Sequence, residues 1–290
     1  MEHKLIELYL LIRRLYDNEP VLKRQRLSNF RPLFTNEELV TMYIFGHLQG
    51  HTTHRRIYDY VVDHWRGWFP ALSSYQAFNR RVNELAPAFE LLIEQQLTIA
   101  GRHIEVTTDR LIDSLPIMLA VGTRVNQARV AGELPDTGFC ATKQTYYRGV
   151  KLHLIAARRL WRLPLPARFS LSRASQHDLA GSSANLTRDL VITHCSLIVL
   201  MRTLIQRRLS PRGTHLMTPY KRRRNEPETC VPTLFNRFVS SIRQPLESLF
   251  SWLIQRTNLQ NASKVRSTNG LLTHGDGRIA VACLLLTSYS

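Results

Sequence analysis

Two short stretches carry residues that could do chemistry. In LIDSLPIML, Leu111–Leu119, one aspartate stands inside an otherwise apolar run. Burying an unpaired ionised carboxylate costs several kcal/mol or forces it to take up a proton. Two local explanations stay open: Asp113 caps a turn before Pro116, or it stands at the end of a core strand and is held for a cation. In SIRQPLESLFSWLIQRT, Arg243 and Glu247 are four residues apart, which places them on one face of a helix. Alone, that spacing reads as a surface ion pair. Asp178, in SQHD, follows Ser175 by three positions. That is the spacing of a capping box, and the local role is preferred for it.

The elements that must hold these acids divide at about residue 100. Before it the chain reads as helical. MEHKLIELYLLIRRLYD sets Glu2, Glu7 and Asp17 among apolar residues, an amphipathic helix rather than a signal peptide. Thr35 and Glu38 have capping-box spacing, and Leu39, Met42, Tyr43, Gly46 and His47 continue at helical intervals. HRRIYDYVVDHW predicts a second helix. SSYQAFNRRVNELAPAF predicts a third, capped by Ser73 or Ser74, exposing Arg80 and Arg81 and ending near Pro87. Short helices, a break and a helix with paired arginines fit a helix-turn-helix. A plain helical bundle with a solvated basic face fits as well. After residue 100, HIEVTTDRLIDSLPIML reads as a strand. RGVKLHLIAA alternates Val150, Leu152 and Leu154 against Lys151 and His153, and PARFSLSRAS alternates Ala167, Phe169 and Leu171 against Arg168 and Ser170. Strands followed by helices predict a mixed α/β domain. Ile242, Leu246, Leu249, Phe250 and Leu253 then form the apolar stripe of a helix.

Composition narrows the partner. The 290 residues, 44% hydrophobic, suffice for one large domain or a small and a larger one. Lys and Arg total 39 against 22 Asp and Glu, a net charge of +17, with a pI near 10.4. Such a surface draws a polyanion through counterion release. Apolar runs such as Ala280–Leu286 are too short to cross a bilayer, so a cytoplasmic protein without a membrane partner is expected. Cys140, Cys195, Cys230 and Cys283 are scattered with no CxxC pair, which predicts buried free thiols rather than a zinc knuckle or disulfide framework.

The blocks IDSLPI, ARVAGELPDTGFCATKQTYYRGVKLHLI, ASQHDL, LMTPYKRRR and RQPLESLFSWLIQRTNLQNASKVRSTNGLL resemble, in order, a DDE transposase of bacterial insertion sequences, the family typified by insertion sequence 982. The resemblance implies a ribonuclease H-like catalytic core over residues 101–290, preceded by an all-helical DNA-binding region over 1–100. It further implies three carboxylates that bind two Mg2+ (or Mn2+) ions. The first family acid falls on Asp113 and the third on Glu247, with Arg243 in the arginine–three residues–glutamate spacing of the wider signature. Ser240 stands where the family's tyrosine is expected, and Arg256 is the candidate for the basic residue after the glutamate. Implied partners are double-stranded DNA, both terminal inverted repeats and target, and a second copy of the chain in a synaptic complex. The implied location is the bacterial cytoplasm, at the nucleoid. Expected DNA contacts are Arg80, Arg81, Lys151, Arg243 and the run Lys221, Arg222, Arg223 and Arg224. Ordinary solvent exposure is the plainer reading of Lys151 and His153, and a solvated loop is the alternative for the run.

The family's second aspartate is expected between ASQHDL and LMTP, yet no Asp or Glu occurs between Asp189 and Glu226. Asp189 is the nearest surviving carboxylate and becomes the candidate second catalytic acid and metal ligand. A coding frame that shifted and returned would produce this basic, apolar segment between intact flanks. Three functions therefore stand: an active transposase, a catalytically dead DNA-binding remnant, and a basic RNA-binding protein that ignores the ordered blocks. In the tail, the Gly275–Asp276–Gly277 run reads as a turn.

Overall fold

The computed structural model describes residues 1–22, 33–104, 106–107, 109–132, 134–176, 196–199, 215–217 and 230–288. They form two compact units. One comprises Met1–Arg102, Arg256–Leu259 and Val265–Ser290, the other His103–Gln255 and Gln260–Lys264.

The first unit is helical because its sequence supplies stripes and caps. Helix α1 (Glu2–Asn18) buries Leu5, Leu8, Ile12, Leu15 and Tyr16, the apolar side of the amphipathic helix expected from the sequence. Helix α2 (Asn36–Leu48) begins at the expected capping box: Glu38 N donates to Thr35 Oγ1 at 3.3 Å, and Thr35 N donates to Glu38 Oε2 at 2.6 Å. Its residues Leu39 through His47 are all buried. Thr53 caps α3 (His54–His64) and Ser74 caps α4 (Tyr75–Val82). Helix α4 ends at Val82, not near Pro87. Pro87 instead occupies the first turn of α5 (Ala86–His103), where a missing N–H is harmless. Between α3 and α4 lie ten residues, 65–74, including a 3-10 turn at Arg66–Trp68. That is longer than the 3–4-residue turn of a helix-turn-helix.

Helix α7 (Thr268–Ser288) completes this unit. It is buried almost continuously from Gly270 to Leu284, and a helix apolar on all sides must be covered on all sides. The last residues therefore group with the N-terminal helices rather than with the strands. Asp276 is no turn residue, since it lies in mid-helix. Its neighbour Gly277 serves close approach: a Cβ there would lie 2.7 Å from Tyr43 Oη.

The second unit is a mixed α/β structure. Its strands are β1 (Arg110–Val121), β2 (Asp136–Cys140), β3 (Thr145–Ala157), β4 (Leu165–Arg173), β5 (Ser196–Val199) and β6 (His215–Met217). Antiparallel β3 lies beside β1, with Asp113 opposite Leu154 and Ile117 opposite Val150. On its far side β3 pairs with β2 through Thr145–Gly149 and with β4 through Val150–Ala157, both antiparallel. Strand β5 is parallel to β1, and β6 is parallel to β5. Pro116 sits inside β1 because nothing is asked of its nitrogen there. Met118 N turns away from β3, toward Gln260 O at 2.7 Å, and two residues earlier the same alternation points Pro116 away from β3.

Helix α6 (Cys230–Thr257) buries Val239, Ile242, Leu246, Leu249, Phe250 and Leu253, which includes the whole stripe expected from the sequence. Cys140 and Cys283 are buried free thiols; Cys195 lies outside the described residues. Among the described residues no helix is long and apolar enough to cross a membrane.

Candidate functional site

Asp113 is the fourth residue of β1, neither a turn cap nor a strand end. By alternation it shares a sheet face with Leu111, Leu115 and Ile117, and with Leu152 and Leu154 of β3. That setting leaves its side chain only 17% exposed. Both oxygens are engaged. Oδ1 accepts from the Ser114 N–H at 2.9 Å, and Oδ2 accepts from Arg243 Nη2 at 2.9 Å and Nε at 3.3 Å. The guanidinium comes from 130 residues further along the chain. The same Nη2 lies 3.4 Å from Glu247 Oε1, one helical turn along α6. One cation thus gathers the two acids singled out in the sequence. The Arg243–Glu247 pair is the expected i,i+4 pair, yet its guanidinium is shared with a strand carboxylate.

These oxygens suit a hard divalent cation. Magnesium is commonly held by one or two carboxylates, with water or phosphate filling its remaining positions. Asp113 is fixed by backbone and strand, while Glu247, 56% exposed, is free to adjust. Among the described residues no third His, Cys, Asp or Glu joins them in a metal-holding group. The candidate second acid, Asp189, lies outside the described residues, as do Asp178 and the run Lys221–Arg224. The donor set at hand is thus two carboxylates with a guanidinium between them.

The expected DNA-contacting cations have separate fates. Arg80 is exposed, as expected. Arg81 is not: it turns inward, donating from Nη1 to Phe34 O at 2.7 Å and from Nη2 to Asn36 Oδ1 at 2.8 Å. Burial lowers its pKa from the ordinary arginine value, and its work is to tie α4 to the start of α2. Lys151 donates to Gln176 O at 3.1 Å, and His153 is buried and shares a 2.7 Å hydrogen bond with Ser172 Oγ. Both lie on the sheet face opposite Asp113. Ser175, the expected helix cap, donates its N–H and its hydroxyl to Asp136; the helix expected after it lies outside the described residues. Arg256 is exposed near the end of α6.

The sequence reading missed a buried polar cluster in the helical unit. Arg278 is buried and donates to Thr257 O at 2.8 Å, Thr52 O at 2.9 Å and His274 O at 3.4 Å. His274 Nε2 donates to Leu259 O and His54 Nδ1 to Asn79 Oδ1, each at 2.8 Å. The His47 ring lies 4.6 Å from that of Tyr43. Burial, reinforced by the Arg278 charge, holds His47 and His274 well below the ordinary histidine value and His54 down to about 4. Burial, and then the charge of Glu90, pushes Asp276 up to about 8. The signal was available: His274, Asp276 and Arg278 are polar groups in an apolar segment, as Asp113 is.

Fold and site together define an α/β protein with an attached helical unit and a carboxylate pair centred on one arginine. No protein-family model, no curated protein and no solved structure matches the chain.

Proposed function

We propose that the chain is a DDE-type transposase whose catalytic acids include Asp113 and Glu247. The observation that carries this reading is their convergence on Arg243, from a strand and from a helix 130 residues later in the sequence. The strand order supports a ribonuclease H-like core: an antiparallel β4–β3–β1 block continued by parallel β5 and β6. The net charge of +17 supports DNA as partner.

The reaction is hydrolysis of a phosphodiester at the element end, followed by attack of the freed 3′-hydroxyl on target DNA. Asp113, anchored through Ser114 N and the pleat of β1, gives the site a fixed carboxylate. Glu247 contributes a second oxygen on a half-exposed side chain. Divalent ions, when bound, activate an attacking oxygen and stabilise a leaving one. Arg243, with donors to spare, is placed to meet phosphate charge.

One observation favours a second reading. With no acid between Asp189 and Glu226, a core of this kind has lost its second strand acid and becomes a DNA-binding remnant. Two assays separate the readings. Duplex carrying the inverted repeats that flank the gene should outcompete random duplex and RNA in gel shifts for either; equal competition by all three would sink both. Magnesium-dependent nicking that Asp113→Asn abolishes, with duplex binding spared, identifies the active enzyme. Nicking undiminished in that variant removes Asp113 from the site, and no nicking by the parent chain leaves the remnant.

A further inference from the structure

We infer that Arg243 is a built-in counter-ion that competes with a divalent cation for the Asp113–Glu247 pair, so that metal entry requires its guanidinium to leave. The inference rests on the metal-binding reading above and adds a regulatory contact to it. Its ground is the shared nitrogen: Nη2 contacts Asp113 Oδ2 at 2.9 Å and Glu247 Oε1 at 3.4 Å. A magnesium ion binds carboxylate oxygens at about 2.0–2.1 Å. An ion held by both oxygens competes for the two atoms that Nη2 now contacts.

Charge points the same way. Among the described residues, two carboxylates share one guanidinium. A divalent ion alone neutralises the pair, while an ion beside the guanidinium leaves a positive excess with two cations close together. Solvent reaches both partners, since the Arg243 side chain is a third exposed and Glu247 is more than half exposed. Asp113 keeps its backbone bond through Oδ1 in either state. Released, Arg243 can face solvent.

The test is Mn2+ titration of the full chain, with free Mn2+ read by electron paramagnetic resonance, for the parent protein, Arg243→Gln and Asp113→Asn. The site is the binding that Asp113→Asn removes. Arg243→Gln should bind there about two- to fivefold tighter, the factor a part-exposed ion pair is worth. In thermal melts, Mn2+ should also raise the midpoint of Arg243→Gln more than that of the parent. If Asp113→Asn removes binding but Arg243→Gln and parent bind alike, the competition is refuted and the carboxylate site stands. Weaker binding by Arg243→Gln likewise refutes it and makes the arginine a support of the site. If no variant shows binding that depends on Asp113, the inference and the metal reading fall together. Should Arg243→Gln fail to fold, Arg243→Ala is titrated in its place, with the same outcomes.

Discussion

Asp113 in the sheet unit and Asp276 in the helical unit are aspartates set among apolar neighbours, and the chain treats them differently. Asp113 keeps 17% exposure and has a guanidinium at 2.9 Å. Asp276 is 3% exposed, and its Oδ2 has no hydrogen-bond partner among the described residues. Its carboxyl is pushed up to about 8. The nearby cations are also opposites. Arg243 spends its donors on carboxylates, whereas Arg278 spends its own on three backbone carbonyls. Where solvent reaches, the chain answers a charge with a charge that can be exchanged. Where it does not, the chain suppresses ionisation and uses the remaining cation as a brace. The first arrangement suits a site and the second suits a core.

The largest expected effect tests that division directly. Arg278→Met leaves carbonyls of the α2–α3 loop and the end of α6 without their donor. Hydrogen bonds from a charged group are each worth about 1.5–3 kcal/mol, so a total loss of roughly 3–5 kcal/mol is expected in urea unfolding. Arg243→Gln, at a part-exposed pair, should cost less than about 1 kcal/mol. Comparable losses in the two variants would erase the distinction between brace and exchangeable counter-ion.

Acid should separate the units next. His54 titrates near 4 when folded against an ordinary 6.5, so between those values the unfolded chain binds a proton that the folded chain refuses. Its contribution to stability is present above 6.5 and is lost as pH falls toward 4, by roughly 3 kcal/mol. His47 and His274 act in the same direction; His47 faces His51, His54, His274 and Arg278. Asp276 acts oppositely, because its raised value makes the folded chain hold the extra proton between about 4 and 8. Stability from that group is complete at low pH and is lost as pH rises to about 8. Urea midpoints measured from pH 4 to 8 should therefore pass through a maximum. Asp276→Asn should flatten the alkaline limb and leave the acid limb. An unchanged alkaline limb would show that Asp276 ionises freely.

What the sequence disclosed follows the same physics. Periodicity and caps are local, so α1, the Thr35–Glu38 box, the Ser74 cap, the α6 stripe and the presence of strands β3 and β4 were legible, though not which of their residues are buried: His153, read onto the polar face of β3, is fully buried. Arg81 was misread because an arginine at an exposed-looking helical position says nothing of Phe34 O and Asn36, 45–47 residues earlier. The Gly275–Asp276–Gly277 run suggested a turn because glycine breaks isolated helices. Its packing against Tyr43 is tertiary and invisible locally. Strand β2 escaped notice because its five residues carry little alternation. The convergence of Asp113 with Glu247 entered through the family resemblance; spacing alone gave only Arg243 and Glu247.

The last contrast concerns two glycines, one in each unit. A Cβ on Gly149 would stand 2.0 Å from the Ile117 carbonyl oxygen, which is backbone in the neighbouring strand. A Cβ on Gly277 would stand 2.7 Å from Tyr43 Oη, the tip of a buried side chain. Backbone cannot step aside without breaking the ladder that fixes Asp113, so Gly149→Ala should sit at the upper end of the roughly 1–3 kcal/mol that overpacking costs. Gly277→Ala meets a similar clash but gains about 1 kcal/mol of helix propensity, leaving a net loss of about 1 kcal/mol or less. The two variants also differ in what they disturb. Gly149→Ala should weaken the Asp113-dependent Mn2+ binding along with stability, whereas Gly277→Ala should lower the urea midpoint and leave that binding unchanged. A Gly277→Ala chain with altered Mn2+ binding would mean that the helical core and the carboxylate pair are coupled rather than separately built.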